Sequence, residues 1–149
     1  MMRVNVVVEG QTEETFVKEV LAPALGYRRV YLTPRLLGTP GHRGGNVNYA
    51  RVKRDVTAFL KQDKQAYCTT LIDLYGLGSG FPGTAAVPSR PDHDEASRIT
   101  EAVKRDIIET LGENWRADKR FIPYYYNATS DSNRRLSCPS ISAPACAIA

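Results

Sequence analysis

The sequence predicts an α/β protein with a mostly parallel sheet of about four strands, and three observations support this prediction. Short runs of aliphatic and β-branched residues alternate along the chain with longer segments whose apolar residues recur every three or four positions. The first run, at residues 4–8, is nearly all valine, which is typical of a parallel strand buried on both faces. Stretches rich in glycine and proline separate the segments. Strands and helices in alternation give three layers, with the sheet in the middle, as in Rossmann-like folds.

The first strand ends at an acid and a glycine, Glu9 and Gly10, and a helix should follow. Thr12 is a suitable N-cap for this helix, which the apolar spacing predicts from Glu13 to about Ala22. Pro23 should end or kink it, because proline lacks the backbone N–H that a helix interior requires.

The remaining elements continue the alternation. A second strand is expected over Val30–Leu37, and Pro34 within it predicts a position near a sheet edge. The other predicted elements are a helix over Tyr49–Gln62, a strand over Ala66–Leu74, a helix over Glu95–Leu111 and a strand over Arg120–Tyr125.

Composition is that of a globular protein with a single core. The chain has 149 residues, which is enough for one such core. No apolar run approaches a membrane span, and the start does not have the pattern of a secretion signal. Three cysteines without metal-binding spacing, Cys68, Cys138 and Cys146, favour a reducing, cytoplasmic location. The net charge of +4 permits nucleic-acid binding.

Two acids lie where predicted strands end. Glu9 follows the valine strand and Asp73 lies near the end of the third strand, so we predict that the two acids lie on adjacent parallel strands at the same sheet edge. The carboxyl edge of a parallel sheet is where open α/β folds place their sites. Glu13 is about one helical turn further on and can lean back toward Glu9. Carboxylate oxygens suit a hard cation such as Mg²⁺. The alternative is structural, because acids in a first helical turn also suit the helix dipole.

The motif from Glu9 to Glu14, an acid after a strand followed by Gly10, Thr12 and Glu13, resembles the opening signature of TOPRIM domains. These are the metal-binding domains of topoisomerases, primases and overcoming-lysogenization-defect nucleases. A longer match is similar to an uncharacterised TOPRIM-like family of bacterial proteins, a domain of unknown function. That similarity extends over Val6–Leu25, Tyr31–Leu37, Gly44–Asp63, Tyr67–Gly83 and Arg120–Tyr124.

The resemblance implies a TOPRIM-like fold and a metal-dependent nuclease or phosphotransfer activity on nucleic acid. Glu9 and Asp73 would be catalytic and would hold Mg²⁺ or Mn²⁺ together with Glu13. One departure is Tyr75, which stands where TOPRIM domains have a second aspartate. Basic residues that could neutralise substrate phosphates are Arg43, Lys53 and Arg54.

A second interpretation is a non-catalytic or degenerate interaction subunit, since the resembling family tends to accompany ATPase partners in bacterial defence systems.

The composition of the last residues of the chain favours this second interpretation. Residues 1–126 form the predicted α/β domain, whereas residues 127–149 are rich in Ser, Ala and Pro without periodicity. A His-Glu-Phe-Glu-type segment that follows the last strand in the family is absent here. We interpret this tail as irregular and loosely held, through a frameshift or truncation, with lineage divergence as the alternative.

Overall fold

Parallel strands with helices on both faces form the structure, which confirms the predicted fold class. The computed structural model describes residues 1–38, 47–74, 77–78, 80–84 and 95–126. The predicted tail at 127–149 lies outside the described residues. The strands are β1 (Met2–Val8), β2 (Val30–Leu36), β3 (Tyr67–Asp73), β4 (Phe121–Ile122) and β5 (Tyr125–Tyr126). The helices are α1 (Gln11–Phe16), a π-helical turn (Val17–Leu21), α2 (Ala22–Gly26), α3 (Tyr49–Gln62), α4 (Glu95–Leu111), a 3₁₀ turn (Glu113–Trp115) and α5 (Ala117–Arg120).

The strands lie in the order β2-β1-β3-β4, with β5 also paired to β3, and all these pairs are parallel. The chain first moves from β1 to β2 on one side and then crosses back past β1 to reach β3. The order therefore reverses between β1 and β3, and a crevice at such a switch point is the usual binding position in open α/β sheets. Among the described strands β2 is at an edge, as Pro34 predicts.

The two faces of the sheet carry separate cores. The valine run alternates between them, because successive side chains of a strand point to opposite faces. Val7 packs on one face with apolar side chains of α3 and α4, whereas Val6 and Val8 pack on the other with Val17 of the π-helical turn. This burial on both faces explains why the strand is almost continuous valine.

The helical stretch after β1 differs from its prediction at both ends. It begins at Gln11, with Gly10 as an N-cap that makes no side-chain hydrogen bond, so the expected cap by Thr12 is wrong. The stretch continues past Ala22, because Pro23 lies in the first turn of α2 instead of ending the helix. The π-helical turn just before it is consistent with a local widening where proline cannot donate its hydrogen bond.

The strand expected over Arg120–Tyr125 is present in two pieces, β4 and β5, which pair with β3 in one register. Pro123 lies between them and has no N–H to donate. Threonine side chains of β3 supply hydrogen bonds there instead. Thr70 Oγ1 donates to the carbonyl oxygen of Tyr124 and accepts from its N–H, both at 2.9 Å, and Thr69 Oγ1 donates to the carbonyl oxygen of Ile122 at 2.6 Å.

A buried arginine closes the opposite, amino-terminal edge of the sheet. Arg120 is only 7% exposed, and its guanidinium donates to four backbone carbonyls. The acceptors are Leu60 at 3.0 Å, Asp63 at 2.9 Å, Ala66 at 3.0 Å and Trp115 at 2.7 and 3.0 Å. Arg120 thus joins the end of α3, the turn into β3 and the 3₁₀ turn.

None of the helices in the described part of the chain has both the length and the apolar character needed to cross a membrane.

Candidate active site

Two carboxylates emerge side by side at the switch point of the sheet. Glu9 directly follows β1 and Asp73 is the last residue of β3, and these strands are neighbours in parallel register, with Val8 opposite Leu71. The predicted placement on adjacent parallel strands at one sheet edge is therefore confirmed.

Two of the acids named from the sequence, Glu13 and Asp73, act electrostatically on the third, Glu9. The pKa of Glu9 lies above its ordinary value, first because the carboxyl group is partly buried and then because Glu13 and Asp73 place negative charge nearby. The structure therefore brings Glu9, Glu13 and Asp73 into one region of concentrated negative charge at the carboxyl edge of the sheet.

The side chain of Glu13 folds back over the turn that carries Glu9, as its helical spacing predicts. A Cβ atom added at Gly10 would lie 3.2 Å from Glu13 Oε2. The other oxygen, Oε1, accepts a hydrogen bond from the Tyr126 hydroxyl at 3.2 Å. A side chain at Gly10 would therefore crowd the end of Glu13, although the extended backbone of Gly10 would accept other residues. Glu13 thus extends from Gly10 to Tyr126.

Tyr126 is a site residue that the sequence prediction missed. It lies opposite Asp73 in the β3–β5 pair, and its pKa is raised to about 12 by burial, then by Glu13, with further contributions from Asp73 and Glu9. Its hydroxyl therefore stays protonated and donates at neutral pH. Extending the predicted last strand by one residue, to Tyr126, would have placed it at the same sheet edge as Asp73.

The chemistry of these side chains suits a hard divalent cation, which prefers carboxylate oxygens as ligands. The side chains do not yet converge. Within residues 1–38, 47–74, 77–78, 80–84 and 95–126, no three His, Cys, Asp or Glu side chains form a group that could hold a metal ion as they stand. Binding would require side-chain rotation of these acids toward a shared cation.

Two of the three basic residues proposed for phosphate binding, Lys53 and Arg54, have acidic partners. Lys53 Nζ lies 2.8 Å from Asp106 on α4, and Arg54 Nε donates to Asp55 at 2.8 Å. Burial alone would raise the pKa of Asp106, but hydrogen bonds from Lys53 and Tyr49 and the charge of Lys53 lower it overall. The Lys53–Asp106 pair joins α3 to α4, whereas the Arg54–Asp55 pair lies within α3, and each pair partly neutralises its cation. Arg43 lies outside the described residues.

A cavity of about 670 Å³ adjoins the acids on the face covered by α1. Glu13 and Tyr126 both line it, and aromatic side chains of Phe16 and Tyr124 contribute to its walls. Most of its other lining residues are aliphatic, and its volume is in the range of small-molecule sites.

Residues 8–127 match the model of a family described as Domain of unknown function (DUF4276). The chain belongs to this family. No curated protein and no solved structure matched the chain. Glu9, Glu13, Asp73 and Tyr126 all lie within the part that matches DUF4276.

In this DUF4276 chain, Gly10→Ala should lower the pKa of Glu9 toward its ordinary value. The added Cβ would meet the flexible end of Glu13 at 3.2 Å and move that charge away from Glu9. The free energy of unfolding should change by less than about 1 kcal/mol, since a flexible side chain can yield. NMR titration of the Glu9 carboxyl measures the pKa.

Gly26→Ala is the matched control, because an added Cβ there has no heavy atom within 4 Å. A Glu9 pKa that is identical in Gly10→Ala and wild type would show that Gly10 does not position Glu13.

Proposed function

We propose that this protein is a TOPRIM-like nuclease or phosphotransfer domain that acts on nucleic acid with Mg²⁺ or Mn²⁺. The observation that carries the proposal is the placement of Glu9 and Asp73 on neighbouring parallel strands at the switch point, with Glu13 folded back toward them. Such a cluster of carboxylates is costly without a cation, because like charges repel one another. A bound cation offsets that cost.

In this proposal Glu9 and Asp73 hold the cation, and Glu13 adds a further or water-mediated ligand. A divalent cation here would lower the pKa of a bound water and stabilise charge on a phosphate, which is the chemistry of phosphodiester cleavage. The adjoining cavity opens beside Glu13 and Tyr126, and its walls are otherwise mostly apolar. The resemblance noted above further supports a cytoplasmic protein of a bacterial defence system with an ATPase partner.

The second candidate is a non-catalytic interaction subunit. It is favoured by the pairing of Lys53 with Asp106 and of Arg54 with Asp55, which leaves less positive charge for phosphates. Tyr75 also favours this candidate, because it stands where TOPRIM domains have a second aspartate that could bind the cation.

A cleavage assay separates the two candidates. We expect the wild-type protein with millimolar Mg²⁺ or Mn²⁺ to cut single- or double-stranded DNA or RNA, and to lose this activity in EDTA. Glu19→Gln is a suitable control for preparation and charge, because Glu19 is an exposed acid on the π-helical turn. Cleavage that persists in EDTA would contradict a metal-dependent activity, and no cleavage of any of these substrates would favour the interaction subunit.

A further inference from the structure

The amino-terminal edge of the sheet, opposite the candidate active site, carries a row of basic side chains. An exposed arginine or lysine lies at or just before the start of each of the strands β2, β1, β3 and β4. In the order of the strands, these residues are Arg28 and Arg29, Arg3, Lys64, and Arg116 and Lys119. We call these six residues the basic edge.

The strand pairing makes the basic edge continuous. The N–H of Met2 at the start of β1 donates to the carbonyl oxygen of Arg29 at 2.8 Å, which joins the first two positions of the row. Neighbouring strands lie about 4.8 Å apart, so the edge from β2 to β4 is about 14 Å long. A DNA duplex carries one negative charge per about 1.7 Å of its axis, so an edge of this length faces several phosphates.

The acids at this edge do not balance its cations. Asp63 pairs with Arg3 at 3.0 Å, and Glu113 and Asp118 lie near the start of β4. Within the residues that the structure describes, the other side chains of the basic edge form no ion pair with a carboxylate. The edge therefore keeps an excess of positive charge, unlike Lys53 and Arg54, which are paired.

The length of the strands separates this charge from the acids of the candidate active site. β3 has seven residues, which places its two ends about 20 Å apart. At physiological ionic strength the Debye length is about 8 Å. Glu9, Glu13 and Asp73 therefore do not cancel the positive potential of the basic edge, which acts as a surface of its own.

Two arginines of this edge have a strained backbone. Among the described residues, the non-glycine residues with positive φ are Arg29, at 58°, and Arg116, at 49°. Glycine adopts this conformation without strain, whereas an arginine there adds an exposed charge at a conformational cost. Strained residues of this kind concentrate at functional sites, which favours a binding role for the edge.

Aromatic rings accompany the cations. The Arg28 guanidinium lies 5.4 Å from the centre of the Tyr27 ring and donates to its hydroxyl from Nε at 2.8 Å. Lys64 Nζ lies 4.8 Å from the centre of the Trp115 ring. Tyr27 is 74% exposed, so its ring is accessible to a partner. Cations with accessible rings beside them are typical of surfaces that bind nucleic acid, because the bases stack on the rings.

We propose that the basic edge binds the phosphate backbone of nucleic acid at a surface separate from the candidate active site. The choice of nucleic acid as the anionic partner rests on the proposed function, whereas the positive surface does not depend on the acids at the other edge. Binding should require no divalent cation. It should also be independent of base sequence, because phosphate contacts carry no sequence information.

The test is fluorescence anisotropy of a labelled DNA duplex of 20 base pairs, titrated with the full chain in EDTA at NaCl concentrations from 50 to 200 mM. The double variant Arg29→Gly, Arg116→Gly removes two charges where glycine suits the backbone, so the fold is retained. It should weaken binding about 10-fold or more at 50 mM NaCl. The slope of log K against log salt should become shallower by about 1.8, which is 0.9 for each lost phosphate contact.

The matched control is the double variant Lys104→Gln, Arg105→Gln, which removes the same charge from α4. Its affinity should stay within about threefold of wild type. Equal weakening by the two double variants would show that only net charge matters and would overturn the inference. Wild-type protein that does not bind the duplex in EDTA would also overturn it, and binding to phosphatidylserine vesicles instead would assign the edge to a membrane.

Failure of the proposed function gives a different result. Duplex binding that is lost in Arg29→Gly, Arg116→Gly, by a protein that cleaves no nucleic acid with Mg²⁺ or Mn²⁺, would support the inference and refute the nuclease activity.

Discussion

Arg120→Met is expected to destabilise the protein by about 3–5 kcal/mol, because several backbone carbonyls would lose their hydrogen-bond donor together. Arg120 donates to backbone carbonyls of Leu60, Asp63, Ala66 and Trp115. Methionine fills much of the same space but donates nothing, so carbonyls that Arg120 satisfied would be left without their donor. Each such loss costs about 1–3 kcal/mol where water cannot replace the donor.

Urea unfolding followed by circular dichroism measures this effect. Arg3→Met is the matched control, because Arg3 contacts the same residue, Asp63, through a solvent-exposed ion pair at 3.0 Å. Such pairs contribute about 0–1 kcal/mol. Equal destabilisation by the two substitutions would show that Arg120 contributes no more than a surface ion pair.

Glu9→Gln and Asp73→Asn should abolish stabilisation of the fold by Mg²⁺. A ligand that binds only the folded state raises the free energy of unfolding by mass action, by about 2.7 kcal/mol at 100 times the dissociation constant. Each substitution removes a proposed cation ligand and one negative charge. Thermal unfolding with 0 and 10 mM Mg²⁺, with Glu19→Gln as control, gives the comparison. The prediction fails if Mg²⁺ shifts the midpoint equally in wild type and both variants.

In the cation-free protein, the contribution of Glu9 to the free energy of unfolding should become more favourable as the pH falls. Because the pKa of Glu9 is raised in the folded state, this state binds the proton more tightly than the unfolded chain. The contribution of Glu9 therefore destabilises the fold above its folded pKa, and this cost disappears as the pH falls through the ordinary value near 4.5. Glu9→Gln should remove this dependence and raise stability at neutral pH without Mg²⁺.

Features set by local pattern were predictable from the sequence. The bounds of α3 and α4 agree with the prediction at both ends, because apolar residues recur at helical spacing and, for α3, the Asn48 side chain accepts the N–H of Arg51. The edge position of β2 followed from Pro34, and the neighbouring placement of Glu9 and Asp73 followed from acids at the ends of parallel strands.

Features set by contacts between distant residues were not predictable in this way. The break in the last strand depends on threonines of β3 that bond to the backbone around Pro123, more than 50 positions away. The pairing of Lys53 with Asp106 depends on how α3 packs against α4. Tyr126 reaches Glu13 only because the sheet brings the two ends of the described chain together.

The most direct test of the central claim is an anomalous difference map from crystals of the wild-type protein soaked in Mn²⁺. If the carboxylates at the switch point bind a divalent cation, we expect a peak between Glu9 and Asp73, with Glu13 turned toward it. Crystals of Glu9→Gln should show no peak at this position. A wild-type map without a peak at this edge, at Mn²⁺ concentrations of several millimolar, would contradict the account.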